Sequence, residues 1–119
     1  MQVSLGSNKY NIIDSRQVYL FNDEELTITI DTESDYKFTL IFKFFNVDLI
    51  EKRVDKKVMG NEMEIQCINF NKMGTGLMEP MSIAKVDGKE ILLMFWSNVE
   101  GEQDEAQVRN IKYTIYIEK

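Results

Sequence analysis

The stretch that decides the fold is Tyr36–Phe45, which reads YKFTLIFKFF. Its even positions are aromatic or apolar, whereas Lys37, Thr39 and Lys43 occupy odd positions. Successive side chains of a β-strand point to opposite faces of a sheet, so this alternation predicts a strand with one buried face. The residues predicted on that face are Phe38, Leu40, Phe42 and Phe44.

The same period of two extends outward from this strand. It recurs at 26–30, 62–67 and 111–117, where apolar and polar residues alternate. Further along, Asp87-Gly88 separates two more predicted strands, since an Asp-Gly pair is a strong signal for a two-residue hairpin turn. The run Ile91–Trp96 is apolar on both faces, which is typical of a central strand or of a buried edge at an interface.

Two segments are less regular. Residues 10–14 and 17–21 flank Ser15-Arg16, and their β-branched and aromatic residues favour a hairpin. Residues 48–58 fit either one amphipathic helix or a charged edge strand, and we favour the strand because edge lysines discourage sheet-to-sheet aggregation. About eight short strands predict an all-β fold: a single antiparallel β-sandwich domain spanning 1–119, immunoglobulin-like or jelly-roll in topology.

Composition and charge narrow the classes of function. The chain has 20 acidic and 14 basic residues and a formal net charge of -6, which disfavours nucleic acid as a partner. Cys67 is the single cysteine, so no intrachain disulfide forms, as suits a reducing compartment. The first residues lack the pattern of a secretory signal, and no apolar run reaches the roughly 18 residues of a membrane span. We therefore expect a cytoplasmic protein with no membrane partner.

The chain contains no histidine. This excludes Ser-His-Asp and Cys-His nucleophile systems, histidine general bases and metal sites built on imidazole. With one cysteine, a thiolate metal cluster within one chain is excluded as well. We expect no cofactor and a non-catalytic protein, although a carboxylate-based hydrolase with two facing acids stays open as a third hypothesis.

A methionine-bearing segment surrounds Gly74-Thr75-Gly76. It lacks the lysine and the following helix of a phosphate-binding loop, so the glycines indicate a turn. Flexible apolar side chains near it either close the end of the core or form an adaptable contact surface. Trp96 is open to the same two interpretations, a cap on the core or an exposed anchor for a partner. The candidate interaction surface consists of Met73, Leu77, Met78, Met81 and Trp96.

Acidic connections between the predicted strands suggest a second kind of site. Calcium takes six to eight oxygen ligands, which convergent acidic loops of a sandwich can supply. The calcium candidates are Asp31, Glu33, Asp35, Glu102 and Asp104. A calcium- or carbohydrate-binding sandwich, of C2-like or carbohydrate-module type, is therefore the alternative function.

A resemblance covers roughly residues 65–117. The segments QCINFNKMGTG, EILLMFW and RNIKYTIY look like those of small bacterial all-β proteins with no assigned function. The resemblance implies a bacterial all-β domain and no site residue. Our first hypothesis rests on the residues themselves: an interaction module that binds a protein partner or forms a homo-oligomer.

Overall fold

A computed structural model of the protein describes residues 2–21, 23–32, 36–45, 48–57, 63–65, 79–100 and 108–119. Within these ranges the regular structure is nine β-strands. They are β1 (Gln2–Leu5), β2 (Asn8–Phe21), β3 (Glu25–Asp31), β4 (Tyr36–Phe45), β5 (Asp48–Lys57), β6 (Met63–Ile65), β7 (Glu79–Val86), β8 (Lys89–Glu100) and β9 (Val108–Glu118). In the described part of the chain, no helix has the length and apolarity needed to cross a membrane.

The strands form two antiparallel sheets. The large sheet has the order β1-β2-β9-β8-β7-β6 and the small sheet the order β3-β4-β5. The chain crosses between the sheets after β2 and after β5, and β2 lies beside β9 in the manner of a Greek-key return. This order differs from the immunoglobulin-like and jelly-roll topologies that we expected, since those interleave strands of the two sheets more often.

The two sheets pack face to face around one apolar core, which confirms the predicted β-sandwich. Phe38, Leu40 and Phe42 of β4 are each at most 1% exposed, as the alternation in Tyr36–Phe45 predicted. Phe42 meets Phe95 of the large sheet with a ring-centroid distance of 5.3 Å. The other predicted core residues in the described part of the large sheet are also buried: Ile111, Tyr113 and Ile115.

Two predictions about local structure are confirmed. Asp87 and Gly88 join β7 to β8 with φ values of 50° and 78°, the positive values that a tight hairpin turn of this kind requires. Residues 48–57 form a strand, β5, at the edge of the small sheet. The predicted hairpin at Ser15-Arg16 is wrong, because β2 runs unbroken through it.

A β-bulge explains why β2 resembles a hairpin in sequence. The pairing of β2 with β9 shifts register between Ile12 and Asp14. A bulge inserts one residue and reverses which positions face the core beyond it. Tyr10 accordingly belongs to a cluster on the outer face of the large sheet, whereas Leu20 belongs to the core between the sheets.

The outer face of the large sheet has an apolar cluster of its own. Leu92 of the central strand β8 packs there with Tyr10 and Tyr116. The two tyrosine rings meet edge to face, with centroids 6.5 Å apart and planes at 76°. This cluster accounts for the apolar residues on both faces of Ile91–Trp96 and confirms the prediction of a central strand.

Candidate functional site

Among the described strands of the large sheet, β2 has the longest stretch of edge that no other described strand covers. β1 pairs only with residues 8–11 of β2, whereas β9 pairs with β2 as far as Phe21. Among the described strands, none pairs with residues 13–21 on the side away from β9. We call these residues the open edge. An unpaired edge presents backbone N–H and C=O groups to which another strand can bond.

The backbone directions along the open edge follow from the pattern of hydrogen bonds. The N–H of Phe21 donates to Glu24 Oε1 at 2.8 Å, and its carbonyl accepts from the Glu24 N–H at 3.0 Å. Phe21 therefore directs both groups away from β9. Because the direction alternates along an antiparallel strand, Ser15, Gln17 and Tyr19 also direct theirs outward.

The side chains of these outward residues lie on the outer face of the large sheet. Gln17 donates from Nε2 to Asn110 Oδ1 at 3.0 Å, and Ser15 Oγ lies 3.0 Å from the Thr114 hydroxyl oxygen. Tyr19 is 56% exposed and Phe21 is 50% exposed. The open edge thus combines backbone groups that no described strand pairs with and large apolar side chains in solvent, a combination typical of surfaces that contact other proteins.

The inner side of the open edge carries charged residues at its start, Asp14 and Arg16, and apolar residues further along, Val18 and Leu20. Arg16 Nε lies 3.2 Å from Asp14 Oδ2, and the same oxygen accepts from the Tyr113 hydroxyl at 3.4 Å. Burial raises the pKa of Tyr113 above its ordinary value, and the negative charge of Asp14 raises it further. These contacts join Asp14 and Arg16 of β2 to Tyr113 of β9.

Trp96 lies next to this region. Its neighbours Phe95 and Ser97 are buried towards the core, so Trp96 stands on the outer face, where it is partly exposed. The ammonium of Lys112 lies 4.9 Å from the centre of its ring, a cation–π contact. The interpretation of Trp96 as a cap on the core is therefore wrong, and its side chain belongs to the outer face that β2 shares.

A second polar cluster lies near the start of β2. The Tyr10 hydroxyl donates to Glu90 Oε1 at 3.0 Å, and the Glu90 N–H donates to Glu118 Oε2 at 3.0 Å. Burial raises the pKa of Tyr10, and the bond to Glu90 raises it further. The carboxylates of Glu90 and Glu118 thus each accept a hydrogen bond that joins two strands, β2 to β8 and β8 to β9.

A cleft of about 520 Å³ opens at the end of the sandwich that carries the Asp87-Gly88 turn. The charged residues that line it are Asp87, Lys89, Glu118 and Lys119. Opposite charges in equal number give the cleft no preference for an anion or a cation. It therefore does not point to a ligand class.

The predicted calcium ligands lie mostly outside the described residues. Glu33, Asp35, Glu102 and Asp104 fall in the gaps at 33–35 and 101–107, whereas Asp31 ends β3 at the end of the sandwich that carries the Asp87-Gly88 turn. β8 ends with Glu100 at the other end of the sandwich. Among the described residues, no three acidic, cysteine or histidine side chains form a metal-binding group.

The predicted interaction surface is only partly described. Met73, Leu77 and Met78 lie outside the described residues, as does Cys67. Met81 is partly buried against the core. The last residue of β2, the first residue of β7 and the last residue of β8 lie at the same end of the sandwich. The open edge runs to this end, at Phe21.

Sequence reasoning missed Tyr19 and Phe21 as site residues. Both fell in the second arm of the predicted hairpin, where aromatic residues are common. A partial signal was present in Val18–Phe21, which is apolar on both faces. A two-sided apolar run at an edge indicates that one face meets another molecule.

Comparisons with known proteins place the chain in a family. No curated protein and no solved structure matches it. A family model covers almost the whole length of the chain, including every described strand except the first residues of β1. On this match, which spans residues 4–118, the chain belongs to the family described as domain of unknown function DUF6864.

Proposed function

We propose that the protein is a non-catalytic interaction module that binds other protein chains by accepting a strand at the open edge of β2. One observation carries the proposal: three residues, Ser15, Gln17 and Tyr19, direct backbone donors and acceptors away from β9. An extended peptide has the same repeat of donors and acceptors, so it can add to the sheet by main-chain hydrogen bonds.

The exposed aromatic residues add affinity and position to this mode of binding. Tyr19 and Phe21 stand two residues apart on the same face, next to the edge. A bound strand places alternate side chains against them, and burial of aromatic surface contributes strongly at interfaces. The edge supplies the hydrogen bonds and the aromatic residues supply selectivity for apolar side chains.

Proline at position 17 tests the proposal. Gln17→Pro removes an N–H that points away from β9, so it blocks strand addition while sparing the β2–β9 ladder. Gln17→Ala keeps the N–H and is the matched control. We expect association, measured by light scattering and by affinity capture, to persist in Gln17→Ala and to be lost in Gln17→Pro. Equal association of the two variants, with both folded by circular dichroism, refutes the proposal.

Carbohydrate binding on the outer face is a second candidate function. Trp96 and Tyr19 offer aromatic rings, and the amides of Gln17 on β2 and Asn110 on β9 lie on the same face of the sheet. Sugar rings stack on such aromatic side chains while amides bond their hydroxyls. The Lys112 ammonium over the Trp96 ring has to move before a sugar can stack there, which favours the first proposal. A glycan panel that raises the melting temperature supports this alternative.

The cellular setting is part of the proposal. The single cysteine supports a reducing compartment, which we take to be the cytoplasm, and the resemblance noted in the sequence supports a bacterial source. The excess of acidic residues supports a protein partner over nucleic acid. Fractionation of cells expressing the tagged chain tests the compartment, with recovery in the membrane or periplasmic fraction as the contrary result.

A further inference from the structure

We infer that the strand accepted at the open edge is the same edge of a second copy, paired antiparallel about a two-fold axis at Gln17. The inference rests on the proposed function and names its partner. It follows from three observations: the edges that the described strands leave unpaired, the direction of the backbone groups, and the location of exposed apolar side chains.

The strands at the ends of the two sheet orders are poor sites for self-pairing. β1 and the described part of β6 have four and three residues, which is short for a stable pairing. Self-pairing of β3 about its centre sets Glu25 of one copy opposite Asp31 of the other, and like charges in that position repel. β5 carries four basic and three acidic residues among its ten, a composition that protects an edge from pairing.

The backbone of the open edge selects one register. In antiparallel pairing, two opposite residues exchange both hydrogen bonds only if both direct their groups across the seam. A two-fold axis at Gln17 sets Gln17 opposite Gln17 and Ser15 opposite Tyr19, so all three outward residues of each copy are used. A shift of two residues in one direction sets Phe21 opposite Ser15, although Glu24 already occupies the N–H and C=O of Phe21. A shift of two in the other direction sets Tyr19 opposite Ile13, which lies at the bulge.

The side chains agree with this register. Among the residues whose side chains the structure describes, the exposed large apolar ones are Ile13, Tyr19 and Phe21, and all three lie on the open edge. The two-fold register sets Ile13 of one copy opposite Phe21 of the other, so that each covers the other.

Charges beside the seam do not oppose the pairing. Asp14 stands opposite Leu20 and Arg16 opposite Val18, so no two like charges face each other directly. Each copy carries a formal charge of -6, and this long-range repulsion is screened by salt. The dimer is therefore expected to strengthen as ionic strength rises, and its two large sheets join into one continuous sheet.

Disulfide trapping tests the register. With Cys67→Ser as background, Gln17→Cys places two thiols on the axis at a Cα separation of about 5.5 Å, which a disulfide spans. Ser15→Cys is the matched control, because its two copies lie about 13 Å apart along the strands, four residues at about 3.3 Å each. We expect mild oxidation to give a covalent dimer for Gln17→Cys and not for Ser15→Cys. Equal yields for both variants, or none for either, overturn the register.

Association in solution separates this inference from the proposed function. We expect the wild-type dimer to weaken by about tenfold or more in Gln17→Pro, since two seam hydrogen bonds are lost. A wild-type chain that stays monomeric, yet captures a different protein through the edge that Gln17→Pro blocks, overturns the homodimer and leaves the proposed function standing. A dimer that survives in folded Gln17→Pro overturns both.

Discussion

Replacement of Phe42 by alanine tests the packing of the two sheets most directly. Phe42 is fully buried at the centre of the interface between them. Deletion of a buried phenylalanine side chain to alanine costs about 3–5 kcal/mol, through lost transfer free energy and the cavity left behind. Domains of this size have free energies of unfolding of about 5–15 kcal/mol, so Phe42→Ala removes a large fraction of the stability.

Part of this loss comes from one ring pair. Phe42 and Phe95 meet with centroids 5.3 Å apart and an interplanar angle of 38°. Such pairs contribute about 0.5–1.5 kcal/mol beyond the area they bury. Either single substitution removes the pair, so the sum of the two single losses should exceed the loss in the double variant by about that amount.

Urea unfolding, followed by Trp96 fluorescence and by far-ultraviolet circular dichroism, measures these losses. Coincident curves from the two probes establish that the transition is two-state. Ile41→Ala, on the opposite face of β4 and only partly buried, is the control and should cost less. A loss below about 1 kcal/mol for Phe42→Ala, together with a larger loss for Ile41→Ala, would show that β4 presents its other face to the core.

Three further changes test separate parts of the fold. Burial raises the pKa of Tyr10 above 10, so the stabilisation from this tyrosine is present below that pH and is lost as the pH rises through the folded-state pKa. Urea unfolding between pH 7 and 11 should show this loss of stability, and the loss should be smaller in Tyr10→Phe. Gly88→Ala should lower the free energy of unfolding by about 1–2 kcal/mol, because Gly88 has a φ of 78°. An added Cβ meets no atom within 4 Å, so this cost comes from backbone strain, and an unchanged melting temperature would contradict it. Ser97→Ala should lower the free energy of unfolding by about 1–3 kcal/mol, because Ser97 Oγ accepts a buried hydrogen bond from Arg109 Nη1 at 2.8 Å. The exposed control Ser15→Ala should change it by under about 0.5 kcal/mol.

The sequence predicted those parts of the fold that follow from local pattern. Alternation in β4 identified the buried face, and Asp87-Gly88 identified a turn, because both signals act within a few residues. The same reasoning wrongly predicted a hairpin in β2. The bulge after Ile12 shifts the period of two, and in the sequence this shift resembles the break that a turn produces. A bulge and a hairpin differ in which strand lies alongside, and that strand, β9, begins almost one hundred residues later.

The open edge was beyond prediction for a related reason. Whether a strand has one neighbour or two depends on the strand order, which joins β2 to β9 and leaves β1 to cover only residues 8–11. The run Val18–Phe21 indicated an apolar strand and said nothing of its position in the sheet. Trp96 was recognised as a candidate contact residue, but its place on the outer face followed only once Phe95 was seen in the core.

The pairing of β2 with β9 also bears on how the chain folds as it is made. β2 is complete by residue 21, but its partner β9 begins at residue 108, so β2 lacks this partner during most of synthesis. Until β9 emerges, β8 lacks one of its two neighbours as well. Contacts this distant in sequence slow folding, in the range of milliseconds to seconds for such sandwiches. A nascent or truncated chain therefore carries two long strand edges that the finished protein joins to β9, and it is the species most exposed to aggregation.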